Sequence, residues 1–283
     1  MATVIQLLAS GIAMGFIYCL IAIEYTLVYK TSGLMNFGHD KYIMFGAYVF
    51  AATFMMGLGW NTVLSVIGTL VAMFGVGVII ANVAFNPMRN MPPIYAVTGT
   101  MTLSMLIREI TRLTYGAMPF TLPNFLKGTI RIGSVALPRT YFYIVGAAVI
   151  LLILQYILLL RTKAGKAMRA VSQDKETAAL MGINVTVLLA ITVGISIAIC
   201  GVIAILILPL YGIDLSMTAM LGTKGFVAGI VGGFGSLNGA IAGGLFLGVV
   251  EALFLIVGGP GIYKDLVSFI LIIIFLIAKP KGI

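Results

Sequence analysis

Charge is what this sequence has least of. Only 9% of its 283 residues are charged, against 61% hydrophobic, whereas a soluble globular domain is about a quarter charged. That scarcity excludes a water-covered surface of ordinary size. Cysteine is nearly absent. Cys19 and Cys200 both sit inside apolar runs, so packed thiols are expected and a disulfide framework is excluded. His39 is the single histidine, too few for a metal centre of the usual kind. There is no G-x-x-x-x-G-K-[S/T] phosphate loop, no nucleophile elbow and no acid/base pair outside the apolar runs. ATP hydrolysis by that loop is thereby excluded, and neither a catalytic residue nor a cofactor is expected.

What the chain has instead is one apolar run after another. A spanning helix needs about 20 mostly apolar residues. Such runs cover about 3–29 (interrupted by Glu24), 42–58, 62–85, 93–107, 140–160, 185–213, 217–234, 237–257 and 265–278. This predicts an all-α polytopic membrane protein, a bundle of about eight to ten transmembrane helices with short or discontinuous segments. Residues 1–283 read as a single transmembrane domain. Residues 1–23 carry no charge, unlike the basic start of a secretory signal, and are expected to form the first membrane helix. A turn-like stretch spans Thr31 to Lys41, and a polar loop with Pro119, Pro123 and Pro138 spans 108–139.

The net charge of +9 lies between the runs rather than in one soluble patch, which argues against nucleic acid. With five spans before residue 161, Lys30, Lys41, Arg89, Arg161, Lys163, Lys166, Arg169, Lys175, Lys279 and Lys281 share one side. Arg108, Arg112, Lys127, Arg131, Arg139 and Lys264 share the other. The richer side is expected to be cytoplasmic.

Gly225, Gly229 and Gly233, then Gly235, Gly239 and Gly243, recur at four-residue spacing, as do the pairs Gly11/Gly15 and Gly244/Gly248. In lipid such spacing lets helix backbones approach closely. Plain packing is the expected role, with a mobile interface beside a translocation path as the functional alternative. The Gly232-Gly233-Phe234-Gly235-Ser236 stretch suggests a helix break, tolerable where protein or a water cavity covers the backbone. Glu24 and Glu251 lie near the ends of their runs. Reaching headgroups or a neighbouring helix is the expected role for each, and proton or cation coupling is the alternative. His39 is expected to fix the turn at Asn36-Phe37-Gly38 by hydrogen bonds.

The segment of about 161–186 carries the clearest pattern. Ser172 reads as an N-cap, Asp174 and Glu176 complement the helix dipole, and Gly182 reads as a left-handed C-terminal cap. Thr177, Leu180 and Met181 fall on one face at helical spacing. A short helix over about 173–181 is expected, with an apolar face suited to a protein partner. The alternative is an amphipathic helix lying on membrane lipid headgroups.

Glu176-Thr177-Ala178-Ala179-Leu180-Met181-Gly182 resembles the E-A-A-x-x-x-G coupling loop of bacterial ABC importer permeases, with Thr177 in place of an alanine. The downstream I-x-L-P of the maltose-type branch is missing. Gly15 to Ala22, Leu34 to His39 with Gly46-Ala47-Tyr48, Gly165 to Ala170, Phe226 to Gly248 and Tyr263-Lys264-Asp265 are similar to the LivH-type permeases of branched-chain amino-acid importers. Asp40-Lys41 departs from that family's N-F-A-H-G-E, and Glu24 stands where it has glycine.

The resemblance implies a permease without its own ATPase, in a bacterial inner membrane. It also implies two cytoplasmic ATPases on the coupling loop, a periplasmic amino-acid-binding protein, and a second, LivM-like permease or a second copy to complete the pore. A self-contained secondary transporter or channel is the alternative, as is an ABC permease for another small solute such as urea, sugar or other amino acids.

The charge count puts Ser172 in the cytoplasm and Gly128 outside. In a background lacking Cys19 and Cys200, an impermeant thiol reagent applied to intact cells should label a cysteine at 128 and spare one at 172. The reverse pattern contradicts the orientation.

Overall fold

The computed structural model describes residues 2–123, 125–133 and 135–279. Lys281, counted in the charge balance, lies outside them. The protein is an all-α polytopic membrane protein. Among the described residues six helices are long and apolar enough to cross a bilayer: Ala2–Ser32, Thr62–Met88, Arg139–Arg161, Val185–Tyr211, Leu237–Ile256 and Gly261–Ala278. In chain order the helices are α1 (Ala2–Ser32), α2 (His39–Tyr48), α3 (Thr62–Ile80), α4 (Asn86–Met88), α5 (Pro93–Tyr115), α6 (Arg139–Arg161), α7 (Lys163–Gln173), α8 (Lys175–Leu180), α9 (Val185–Tyr211), α10 (Ala219–Gly232), α11 (Leu237–Ile256) and α12 (Lys264–Ala278). The turns widen to π-helix at Val49–Gly57 after α2 and at Ala81–Phe85 after α3. α2 and α5 carry more polar residues, and α10 is a short apolar helix.

Two segments differ from the sequence reading. The helix expected to stop at Arg108-Glu109 continues to Tyr115, with Arg112 paired to Glu109 one turn away at 2.6 Å on an exposed face. Within the 108–139 loop, Thr129–Ile132 and Val135–Pro138 form an antiparallel hairpin.

The chain divides into two compact units. The first comprises Met1–Thr26, Leu122–Leu152 and Met220–Ile283. Its helices are joined through glycine. A Cβ on Gly11 would lie 2.7 Å from the Gly248 carbonyl oxygen, and one on Gly15 would lie 3.3 Å from the Gly244 carbonyl oxygen. α1 and α11 thus touch backbone to backbone. The second close seam joins α10 and α11, where a Cβ on Gly243 would meet the Gly232 amide at 2.7 Å and one on Gly232 the Ala240 amide at 2.8 Å. Between these helices the chain turns at Gly233 and Gly235, with φ of 84° and 91°, values open to glycine at little steric cost. Ser236 then caps α11 by accepting from the Gly239 amide at 3.1 Å.

The second unit comprises Leu27–Thr121 and Ile153–Ala219. α9 is its axis: 83% of its most apolar window is buried, as expected of a helix apolar all round. α2 and α3 pack on it at glycine contacts. A Cβ on Gly46 would lie 2.9 Å from Gly201 Cα, and one on Gly77 would lie 2.7 Å from Gly194 Cα.

Replacing Gly244 with Leu should overpack the α1–α11 seam, where a Cβ already meets Cys19 Sγ at 2.6 Å, and destabilise by roughly 1–3 kcal/mol. Gly146, with nothing within 4 Å of its Cβ position, is the control. Thermal unfolding in detergent should show a lower midpoint for Gly244→Leu alone; equal midpoints contradict the seam.

Candidate functional site

Residues 161–184 form a helical corner of α7 and α8. Thr162 caps α7 by accepting from the Gly165 amide at 3.0 Å. Gly165 sits against the Leu158 and Leu159 carbonyls, where any side chain would collide, so the chain can fold back at once after α6. Arg169 reaches back to donate to the Leu159 carbonyl.

Ser172 does not cap the following helix. It lies inside α7, its hydroxyl donating to the Arg169 carbonyl at 2.8 Å. The cap is Asp174, whose extended backbone separates α7 from α8. Its carboxylate accepts from the Glu176 amide (2.9 Å), the Thr177 amide (3.0 Å) and the Thr177 hydroxyl (2.6 Å). These bonds, led by the hydroxyl, hold the carboxyl below the usual carboxylate range. Serine and aspartate cap about equally well. Sequence preference alone did not separate positions 172 and 174; the persistence of α7 through Gln173 does.

At the other end Gly182 adopts φ +85°. Its amide donates to the Ala179 carbonyl at 3.0 Å and the Ile183 amide to the Ala178 carbonyl at 3.1 Å, a Schellman ending. α8 is therefore the six residues Lys175–Leu180, shorter than the helix expected over 173–181.

Ala178 turns inward, into an apolar cluster with Leu27, Met168, Val171 and Leu188. Leu180 and Met181 point out, 87% and 80% exposed, with Glu176, Thr177 and Ala179 also exposed. Beside them a depression of about 160 Å³ is lined by residues including Gln173, Asp174, Thr177 and Met181. Lys175 donates to the Ser32 carbonyl. Its ammonium is pushed down from the ordinary lysine range, first by burial and then by the nearby Arg89 charge.

The turn before α2 is built from Asn36 and His39. The Asn36 side-chain oxygen accepts from the Gly38 amide at 2.9 Å. His39 Nδ1 meets the Asn36 carbonyl at 3.0 Å and Nε2 meets the Ser196 hydroxyl at 3.2 Å. A carbonyl only accepts, so in a neutral His39 the proton sits on Nδ1 and Ser196 donates to Nε2.

The glycines divide by role. Gly239 and Gly243 belong to the α10–α11 seam, and a Cβ on Gly225 would strike Ile21 of α1 at 2.5 Å. Gly229 departs from the expected helix contact: its Cβ position faces the Phe234 ring at 3.3 Å. Gly233 lies beyond the end of α10 and shares no helical face with Gly225, and Gly235 has nothing within 4 Å.

A second constellation lies in the first unit. Glu251, 1% exposed, pairs with Lys224 at 2.8 Å and Lys264 at 3.1 Å. It also accepts from Tyr18 at 3.0 Å and Ser268 at 2.7 Å. Lys224 bridges further to Asp265 at 2.7 Å. Two cations and two anions thus neutralise one another among α1, α10, α11 and α12. Glu24 is also fully buried. Lys224 is the one basic residue that the loop count passed over, because it sits inside a glycine-rich apolar run. A lysine and a glutamate each within such a run were the available signal.

With this geometry in place, likeness to known proteins can be read. The family model described as branched-chain amino acid transport system / permease component matches residues 7–276. The chain belongs to that family. It is 35% identical to the high-affinity branched-chain amino acid transport system permease protein LivH of Salmonella typhimurium, over 99% of this chain and 94% of that protein. It is 34% identical to LivH of Escherichia coli K12 over the same shares. BraD of Pseudomonas aeruginosa, a permease protein of the same description, is 32% identical over 99% and 95%. Among solved structures, PsaBC from Streptococcus pneumoniae in complex with Fab aligns with 99% of this chain and 91% of that one, at a TM-score of 0.47 and 18% identity. A permease component works with the other subunits of its transport system.

Replacing Lys224 with Met should leave Glu251 only Lys264 and Asp265 no buried partner. Breaking a buried pair costs about 3–5 kcal/mol, an upper bound here because Lys264 remains. The unfolding midpoint should fall clearly for Lys224→Met and less for Lys224→Arg; a wild-type midpoint for the Met variant contradicts the network.

Proposed function

We propose that this chain is the membrane-spanning permease subunit of an ABC importer that moves branched-chain or related hydrophobic amino acids into the cytoplasm. The membrane is the bacterial inner membrane. Two cytoplasmic ATPases supply the energy, a periplasmic binding protein delivers the amino acid, and a LivM-like permease or a second copy completes the pore.

The observation that carries the reading is α8. A six-residue helix fixed at both ends holds Leu180 and Met181 out of the protein while Ala178 anchors it inward. An exposed apolar pair on so rigid a mount suits a protein groove better than solvent. Through Ala178 a push on α8 reaches Leu188 at the start of α9 and Leu27 near the end of α1. Motion at the docking face would thereby be passed into spanning helices. The alternative of a self-contained, ion-coupled transporter gains little from Glu251, which is already neutralised by two lysines.

Leu180→Asp should insert normally, since it touches no spanning run, yet lose most ATPase on co-purification and most uptake. Gly182→Val, which forces a branched side chain to φ +85°, should act in the same direction through roughly 1 kcal/mol or more of strain. ATPase recovered at wild-type yield with Leu180→Asp contradicts the docking role.

A further inference from the structure

Asn36 holds a side-chain donor that no group among the described residues uses. Its side-chain oxygen is committed to the Gly38 amide at 2.9 Å and lies 3.5 Å from the Tyr42 hydroxyl. That fixes which end of the amide is nitrogen, and Nδ2 has no hydrogen-bond partner in a residue only 2% exposed. A buried donor left unpaired carries its full desolvation penalty, and such groups are uncommon in folded proteins. The turn does not need this donor, because Oδ1 alone makes the bond to Gly38.

The donor lies deep in the membrane. His39, three residues on, meets Ser196, the twelfth residue of α9 counting from Val185. At 1.5 Å per residue this is roughly 17 Å along a helix about 40 Å long, near its middle. α2 begins here with no cap bond from Gly38, and of its first amides that of Lys41 is taken by the Asp40 carboxylate at 2.8 Å, so the positive end of a helix dipole lies inside the protein beside Asn36. The charges at this helix start are Asp40 and Lys41, which pair with each other at 2.9 Å and leave no net charge. Around the break, Thr100 accepts from the Phe37 amide at 3.2 Å and donates to the Ala96 carbonyl at 2.8 Å, and Ser196 serves His39. The unused polar capacity at the break is therefore the Asn36 amide, which can only donate. Two N–H groups beside a helix N-terminus match an anionic acceptor, and a carboxylate offers one with two oxygens.

We infer that the Asn36 amide, at the start of α2, is a station in the translocation path that binds the carboxylate of the transported amino acid. This rests on the amino-acid import reading and adds the atom that holds the substrate's charged end. The apolar side chain of the substrate needs no matching polar group; its carboxylate does, at a depth where water is scarce. The conformation described here closes the station from solvent, and access to it accompanies the motion that ATP drives.

The test uses the complete transporter, permease with its partner subunits, in lipid nanodiscs. Binding of radiolabelled L-leucine is measured without the binding protein, with L-leucinamide, which lacks the carboxylate, as competitor. Wild type should bind leucine saturably and leucinamide at least tenfold more weakly. Asn36→Asp keeps an oxygen for the Gly38 amide and removes both donors. It should assemble, lose leucine affinity at least tenfold and no longer prefer leucine to leucinamide. An Asp variant that binds and discriminates like wild type overturns the inference, as does a wild-type transporter that binds both probes equally or binds no leucine. These two wild-type results stand even if the variant fails to assemble. Proteoliposome uptake run in parallel separates the two levels. Leucine uptake by wild type with an unaffected Asp variant removes the station and leaves the import reading, whereas no ATP-driven leucine uptake by wild type removes both.

Discussion

Inside a bilayer two rules act together: every backbone polar group needs an internal partner, and helices gain no hydrophobic drive by leaving lipid for one another. What holds these helices together must therefore be close contact and buried polarity. In the first unit both are visible. Gly11, Gly15, Gly244 and Gly248 bring α1 and α11 to backbone contact, and Gly232, Gly239 and Gly243 do the same for α10 and α11. Glu251, Lys224, Lys264 and Asp265 add charges that neutralise one another. In the second unit α9 fills the same role as a buried axis, with glycines on α2 and α3 setting the distance.

The same rules explain what could be read from sequence. Apolar runs sit between basic residues because insertion demands it, so the class of protein and most helix positions were legible. So were the left-handed cap at Gly182, the break around Gly233 to Ser236, and the hydrogen-bonding role of His39. Details that depend on partners distant in sequence were not. Whether Ser172 or Asp174 caps α8 turns on where α7 ends, and α7 runs through Gln173 to Asp174. Gly229 has the spacing of a packing glycine yet faces Phe234, because α10 stops at Gly232 and the chain folds back. Lys224 and Glu251 each stood out within an apolar run, but 27 positions separate them and only the fold pairs them.

Function follows from a contrast between the two polar regions. In the first unit the buried charges of Glu251 and Lys224 are satisfied by each other and by the half-buried Lys264 and Asp265, which suits a structural clamp. The α7–α8 corner instead leaves Leu180 and Met181 exposed on a capped helix, the face proposed above for docking. Family membership makes the chain a transport permease component, and the α8 geometry supports the proposal that other subunits drive it through this helix.

That dependence on partners is the central claim, and reconstitution tests it most directly. The purified chain and the complete transporter, each in liposomes, would be compared for uptake of radiolabelled L-leucine, with and without ATP at the cytoplasmic face, and under imposed proton and sodium gradients. The account predicts no ATP hydrolysis and no concentrative uptake by the chain alone, and ATP-dependent uptake once the ATPases, second permease and binding protein are added. Gradient-driven uptake by the chain alone would contradict it.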